Sequence, residues 1–441
     1  MAAAKGSIAG RFLRLVDDWW LAVAGIAFIL GSDFKYRTRP PGQALGGGLD
    51  SAILLELALY GAVAGYLLLD RFRIPKVRRV PAPLYLAACF VGLAILSLAY
   101  TPYPQYALVR CVQATILLAA IVIACMDGGR AQFHRFAHLY LLLIAAGVLY
   151  GLARPSPPIN KIQEGRFTWL AIHPTVSGAM TCLAVVVAVG YLAGGRRDRP
   201  GPRWSLVTYW VLLAIVAGGG LAAQTRGAIL GGVCGAGVVL LSSRRGRAVI
   251  EIALIGLVLL AGVALVASSQ ITAYFERGEE ASQLTTLNNR TELWDVAFEA
   301  VREQPMFGSG ITSSRGIFYE ETGLGGGHNA VVNVVVELGA LGLAVWVAMV
   351  ITLIVGIRRL PKDGPRHLAL DRAILLGVIT FLLVDSVFYE GAGALANFAS
   401  TWLFMCVGWY VVARRAGRPT DPDRIEADAD VDSELPVGAD A

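Results

Sequence analysis

The chain has 441 residues, 56% of them hydrophobic and only 16% charged, with a formal net charge of +6 and a mean hydropathy of +0.60. Soluble domains carry about 25% charged residues. Here the charges gather between apolar runs of membrane-spanning length, which excludes an ordinary soluble enzyme and points to an all-α polytopic membrane protein. The positive balance is no nucleic-acid signal, because most basic residues sit in short loops, where they set topology.

In chain order the apolar runs predict spans at about 15–31, 51–69, 84–100, 106–126, 136–153, 174–194, 205–225, 227–242, 249–268, 328–357, 373–390 and 396–413. The split at Arg226 is the least marked of these boundaries. No cleavable signal peptide is evident, and 15–31 reads as a first span that stays. Most of the Lys and Arg fall on one side: Lys5, Arg11 and Arg14, then the loops at 71–79, 130–135, 196–203, 244–247 and 358–372, then 414–424. The positive-inside rule makes that side cytoplasmic, together with both termini. The loops at 32–50, 154–173 and 268–327 then face outward. Residues 1–413 read as one membrane domain and 414–441 as a disordered, acidic cytoplasmic tail. Cys89, Cys111, Cys125, Cys182, Cys234 and Cys406 all lie in apolar runs without a C-x-x-C pair. They read as small packing residues rather than metal ligands or a disulfide framework.

The longest polar interruption, 268–329, is the stretch that departs most from a plain scaffold. Within it Leu293, Trp294, Ala297, Phe298 and Val301 form one helical stripe. Asn289 with Glu292 resembles a capping box, and Pro305 ends the helix. Such a helix is roughly 22 Å long and can lie at the outer interface or over the spans. Arg290 sits in its first turn, where a cation opposes the helix dipole unless an anion is bound. A solvated arginine at a helix end is the alternative. Arg226 interrupts a long apolar stretch at the outer boundary, where it either snorkels or meets an anion.

His328 follows Gly325, Gly326 and Gly327 and opens the tenth span. Glycines allow close approach by a ligand, and a histidine can take a proton near neutral pH; a purely structural histidine is the alternative. Asn329, Asn333 and Glu337 share one face of that span. Asp385 and Glu390 lie on the eleventh span, within pairing reach of arginines. Arg166 and His173 add an outward arginine and histidine before the sixth span, and His173 before Pro174 also suits a helix start. No carboxylate pair suited to a divalent metal stands out in the outer loops. Phosphate handling by guanidinium groups is the reading this leaves, with a membrane-bound lipid diphosphate as substrate class.

At these residues the chain resembles the O-antigen ligase and polymerase superfamily of bacterial membrane glycosyltransferases. The resemblance is carried by Gly165-Arg166-Phe…His173-Pro174, Thr225-Arg226-Gly227-Ala228 and Asn289-Arg290-Thr-Glu-Leu-Trp294. It continues in Gln304-Pro305-Met-Phe-Gly308-Ser-Gly310, Gly327-His328-Asn329 and Glu337-Leu-Gly339-Ala-Leu-Gly342. Thr175 is a departure, since Asn or Leu is common after that His-Pro pair, and the acidic tail has no counterpart.

The resemblance implies an undecaprenyl-diphosphate-linked glycan donor and an acceptor such as lipid A–core on the outer face of the inner membrane. It makes Arg226, Arg290 and His328 the catalytic residues; Arg166, Asn329, Gly327 and His173 are read beside them as substrate-binding, with His173 positional rather than catalytic. Neither a cofactor nor a metal is demanded, because a diphosphate is already a good leaving group. A single displacement would invert the anomeric centre. A polymerase joining lipid-linked repeat units is the second reading, and a flippase of lipid-linked sugar is the reading from a different class. A flippase predicts polar groups along a continuous path, whereas here they gather at one end.

Overall fold

The computed structural model describes residues 8–34, 50–71, 80–127, 129–157, 164–170, 172–194, 204–243, 290–323, 325–362 and 366–417. Among them there is no strand. The helices are α1 (Ile8–Ser32), α2 (Ser51–Tyr66, prolonged by a π turn, Leu67–Arg71), α3 (Ala82–Leu96), α4 (Pro104–Asp127), α5 (Arg130–Ala153), α6 (Pro174–Ala193), α7 (Leu206–Ala222) and α8 (Arg226–Ser242). They continue as α9 (Arg290–Glu303), α10 (Ser313–Thr322), α11 (Ala330–Arg358), α12 (Arg366–Asp385) and α13 (Phe398–Ala416). Seven of these, α2 to α6 with α11 and α12, are long and apolar enough to cross a membrane. Their outer faces leave large apolar side chains uncovered, among them Val112, Leu149 and Ile351. That pattern suits lipid as the surrounding solvent. The protein is an integral membrane protein.

Every expected span except 249–268 has a helix over it; that run, the Asn289 cap and the tail beyond 417 lie outside the described residues. The doubtful split at Arg226 is present. Helix α7 ends at Ala222, Gln224 takes a left-handed φ of 51°, and α8 starts at Arg226. The eleventh span is displaced. Helix α12 begins well before residue 373, because Asp371 is buried in a paired state and can be carried inside the bundle. It stops at Asp385, whose carbonyl accepts from Phe388 and Tyr389 N–H at 2.8 Å each in a closing turn.

Small residues set the packing. Gly227, Gly231 and Gly235 lie one turn apart along α8 and let α12 approach closely. A Cβ on Gly235 would stand 2.8 Å from the Gly377 carbonyl oxygen, and one on Gly227 would stand 2.6 Å from Phe388. Close backbone approach of this kind is how helices associate where there is no hydrophobic drive between them. Helix α13 is buried from Phe398 to Ala413 and forms the centre of the bundle.

One end of the bundle is held by ion pairs. Arg130 Nε donates to Asp371 Oδ2 at 2.5 Å, and Asp371 Oδ1 meets His134 Nε2 at 2.7 Å. His134 Nδ1 meets the Tyr191 hydroxyl at 2.8 Å. The start of α1 is at this same end, where Asp17 pairs with Arg71. So is the end of α13, where Arg415 donates to the Cys125 carbonyl. All six cysteines are free thiols, and Cys111, Cys125, Cys182 and Cys406 are buried, in keeping with a packing role.

Candidate active site

The opposite end of the bundle gathers the polar residues. A pair of glycines shapes it. Helix α11 is broken at Gly339, whose φ of 64° and ψ of −166° are not helical. The break frees backbone groups, and the segment after α9 takes them up. Ser309 and Gly310 N–H donate to the Val336 and Glu337 carbonyls at 2.8 and 2.9 Å. Ala340 and Leu341 N–H donate back to the Pro305 and Met306 carbonyls at 2.9 and 3.2 Å. Irregular backbone at membrane depth persists only when it is satisfied in this way.

Helix α9 packs over this junction through Leu293 and Ala297, which are buried against Phe318 and Val336. The apolar stripe read from the sequence is therefore shifted, since Val296 and Ala300 pack here beside Trp294 and Val301. Phe298 is 63% exposed, because the docking face is centred on Leu293 and Ala297 and leaves it at the rim.

The corner between α3 and α4 fixes the next segment. Thr101 Oγ1 donates to the Ile311 carbonyl at 2.9 Å, and Ile311 N–H donates to Ser97 Oγ at 2.9 Å. The Tyr103 hydroxyl donates to Glu320 Oε1 at 2.8 Å. Burial, and then this bond to a carboxylate, push the Tyr103 phenol up to about 12, so it remains a donor.

Between these elements lies a cavity. It is lined by Asp33 at the end of α1, Tyr106 and Arg110 of α4, His173 before α6, Thr312 and Arg315, Asn333 and Glu337 of α11, and the 389–397 loop with Tyr389 and Glu390. Space for the centre of a water molecule amounts to about 80 Å³. The Arg110 guanidinium donates to Glu56 Oε1 at 3.1 Å and to the Ala396 carbonyl at 3.2 Å. Ser314 Oγ donates to Glu337 Oε1 at 2.5 Å. Burial first, then Asp33, Glu390 and Asp385, raises the Tyr389 phenol well above its ordinary value.

The residues singled out in the sequence distribute over this end in two groups. His328 stands beside the cavity with its side chain 36% exposed and Nδ1 3.8 Å from Glu390 Oε2. Its φ of 49° is left-handed, a conformation that costs energy for a residue with a side chain. Leu170, Gln224, Thr312 and Ala396 share that conformation. All lie in loops at this end, and strained backbone tends to collect at functional sites. Gly326 brings the backbone against Glu390, where a Cβ would stand 2.9 Å from Oε1. Gly327 N–H donates to Asn333 Oδ1 at 3.1 Å. Asn329 caps α11 through bonds from Val331 and Val332 N–H, and its amide nitrogen donates to the Val387 carbonyl at 3.3 Å. His173 caps α6, with Nδ1 accepting from Thr175 N–H at 3.2 Å, and lines the cavity.

Arg166 and Arg226 form the second group. Arg166 Nε donates to the Ala223 carbonyl at 3.1 Å, and Nη2 donates to Thr225 Oγ1 at 3.0 Å. Thr225 Oγ1 in turn donates to the Pro174 carbonyl at 3.0 Å. These bonds fix the turn from which Arg226 opens α8. Neither arginine lines the cavity. The groups meet at the loop after α12, since Phe388 packs on Gly227 and Val387 receives Asn329. Arg290 opens α9, and its side chain lies outside the described residues.

Residues 211–347 match the family model described as O-antigen ligase. Over this segment the chain is similar to the O-antigen ligase family. The segment spans Arg226, α9, the Gly308–Gly339 junction, His328 and Glu337, whereas Arg110, Arg166, His173 and Glu390 lie outside it. No curated protein matches the chain.

Sequence reasoning missed Asp33, Tyr106, Arg110 and Arg315. For Arg110 a signal existed, because an arginine inside an apolar span is itself a mark of a polar cavity. For Arg315 there was none beyond its place in a loop full of charges.

Proposed function

We propose that this protein transfers a glycan from undecaprenyl diphosphate to an acceptor at the outer face of the inner membrane, with both termini cytoplasmic. The observation that carries the reading is the 3.8 Å approach of His328 Nδ1 to Glu390, which lines a polar cavity, with His328 and Arg226 both inside the segment that matches the O-antigen ligase family model. His328 takes the proton from the acceptor hydroxyl as that oxygen attacks the anomeric carbon. The Glu390 carboxylate, near Nδ1, orients the ring and stabilises the imidazolium that forms. The glycosyl–phosphate bond breaks, and the electron pair leaves with the diphosphate. Arg226 and Arg290 bind that diphosphate and stabilise the charge that develops on it. Arg166 acts through the 223–226 turn, Asn329 and Gly327 through the turn that carries His328, and His173 from the cavity wall.

The ligase reading leads because the matched family is that of the ligases. A polymerase uses the same donor chemistry. The two separate by product: loss of a polymerase leaves single-repeat glycans, and loss of a ligase leaves long lipid-linked chains unattached. The reading is tested by transfer from a defined undecaprenyl-diphosphate glycan in proteoliposomes. His328→Ala should lower the rate by roughly 100-fold or more, the scale of general-base catalysis. Full transfer by that variant would sink the assignment.

A further inference from the structure

Arg315 differs from Arg110, the other arginine of the cavity, in its pairing. Arg110 is already engaged by Glu56 at 3.1 Å, with side chains only 15% and 14% exposed. Arg315, on the cavity wall, is exposed and has no ion pair or hydrogen bond among the described residues. Its guanidinium carbon lies 5.8 Å from the centre of the Tyr106 ring, and that of Arg110 lies 5.1 Å from the same ring. Both guanidinium groups are within cation–π distance of the phenol ring.

The position of Arg315 is built rather than incidental. Its neighbour Ser314 is bonded to Glu337, and Gly316 is crossed so closely by Tyr103 that any Cβ there would meet the hydroxyl. Both contacts fix α10, and with it the direction in which Arg315 enters the cavity.

Glu390 Oε2 is buried and has no hydrogen-bond partner. A buried acceptor left without a donor is costly. That oxygen has His328 Nδ1 as its ion partner at 3.8 Å, whereas Arg315 has none among the described residues. A ligand that pairs with Arg315 carries an anionic group.

We propose that Arg315, backed by Tyr106 and Arg110, is an anion-binding residue for a phosphate or carboxylate borne by the saccharide substrate. Arg226 does not line this cavity. The role of Arg315 rests on reading the protein as a glycan transferase, and it adds an acidic saccharide as the substrate class. The anion belongs to the sugar, and it presents paired oxygens to a planar guanidinium.

The test is calorimetric binding to the purified full-length protein in nanodiscs. The probes are glucose 6-phosphate, glucuronate, glucose and farnesyl diphosphate, with Arg315→Gln and Arg315→Lys compared to wild type and melting temperatures recorded for all three. The expected result is that the sugar acids bind more tightly than glucose. Arg315→Gln should weaken them about tenfold and Arg315→Lys less, without change in melting temperature. If Arg315→Gln weakens farnesyl diphosphate alone, Arg315 serves the donor diphosphate and the saccharide-anion proposal is overturned. If wild type binds no anionic probe, or Arg315→Gln binds all of them as wild type does, the proposal is overturned. Anion binding lost in Arg315→Gln while wild type transfers no glycan would sink the transferase reading and leave the subsite. Transfer by wild type with binding indifferent to Arg315 would do the reverse.

Discussion

Gly308 and Gly339 face each other across the break in α11 with no room for a side chain on either. A Cβ on Gly308 would stand 2.6 Å from the Gly339 nitrogen, and one on Gly339 would stand 2.3 Å from the Met306 carbonyl carbon. Both have left-handed φ, 68° and 64°. The clash is with backbone, which cannot swing aside as a side-chain tip can. Gly308→Ala and Gly339→Ala should each cost about 1–3 kcal/mol in backbone strain alone. Gly325→Ala, where nothing lies within 4 Å, should cost far less. Thermal unfolding in detergent ranks the three variants, and equal losses at 325 and 339 would refute the interlock.

The ridge on α8 makes a second, internally controlled case. Gly235 and Gly237 sit on the same helix, yet a Cβ on Gly235 would meet the Gly377 carbonyl and one on Gly237 would meet nothing within 4 Å. Gly235→Leu should separate α8 from α12 and lower the melting temperature by several degrees or abolish the monodisperse peak. Gly237→Leu should leave both unchanged. A loss at 237 as large as at 235 would mean that helix propensity or lipid contact, rather than close packing, sets stability here.

Much of this fold was legible, and the limits have physical reasons. Hydrophobic length locates a span because lipid demands continuous apolar surface, and so α2 to α6 fall where expected. It does not reveal the break at Gly339, since the groups that satisfy the broken backbone come from Ser309 and Gly310, far back in the chain. The two glycine motifs are each visible in the sequence, but their interlock is a tertiary fact. The site divides in the same way. His328 and Arg226 stand out because a lone cation or imidazole is conspicuous at a span boundary. Arg315 does not, because only the approach of Tyr106 and the lack of an ion partner distinguish it from its charged neighbours.

Arg166 is expected to act on transfer indirectly. Two of its donors hold the Ala223 carbonyl and Thr225 Oγ1, which set the start of α8 and thereby Arg226. Arg166→Ala should lower kcat/KM for the lipid donor by roughly tenfold, through the loss of charge-assisted hydrogen bonds. Arg166→Lys should recover only part of it, because an ammonium cannot reproduce the fork that reaches both acceptors. Full recovery by lysine would show that charge alone matters at this position.

The pairing of His328 with Glu390 predicts non-additivity. If Glu390 acts through the imidazole, its loss has little further effect once the imidazole is gone. Glu390→Gln should slow transfer by roughly tenfold and His328→Ala by roughly 100-fold or more. The double variant should match His328→Ala alone. The rates are measured in proteoliposomes with donor saturating, so that binding losses at the cavity wall do not enter. Effects that multiply in the double variant would show that Glu390 serves the substrate directly and that the 3.8 Å separation from Nδ1 is incidental to the proton transfer.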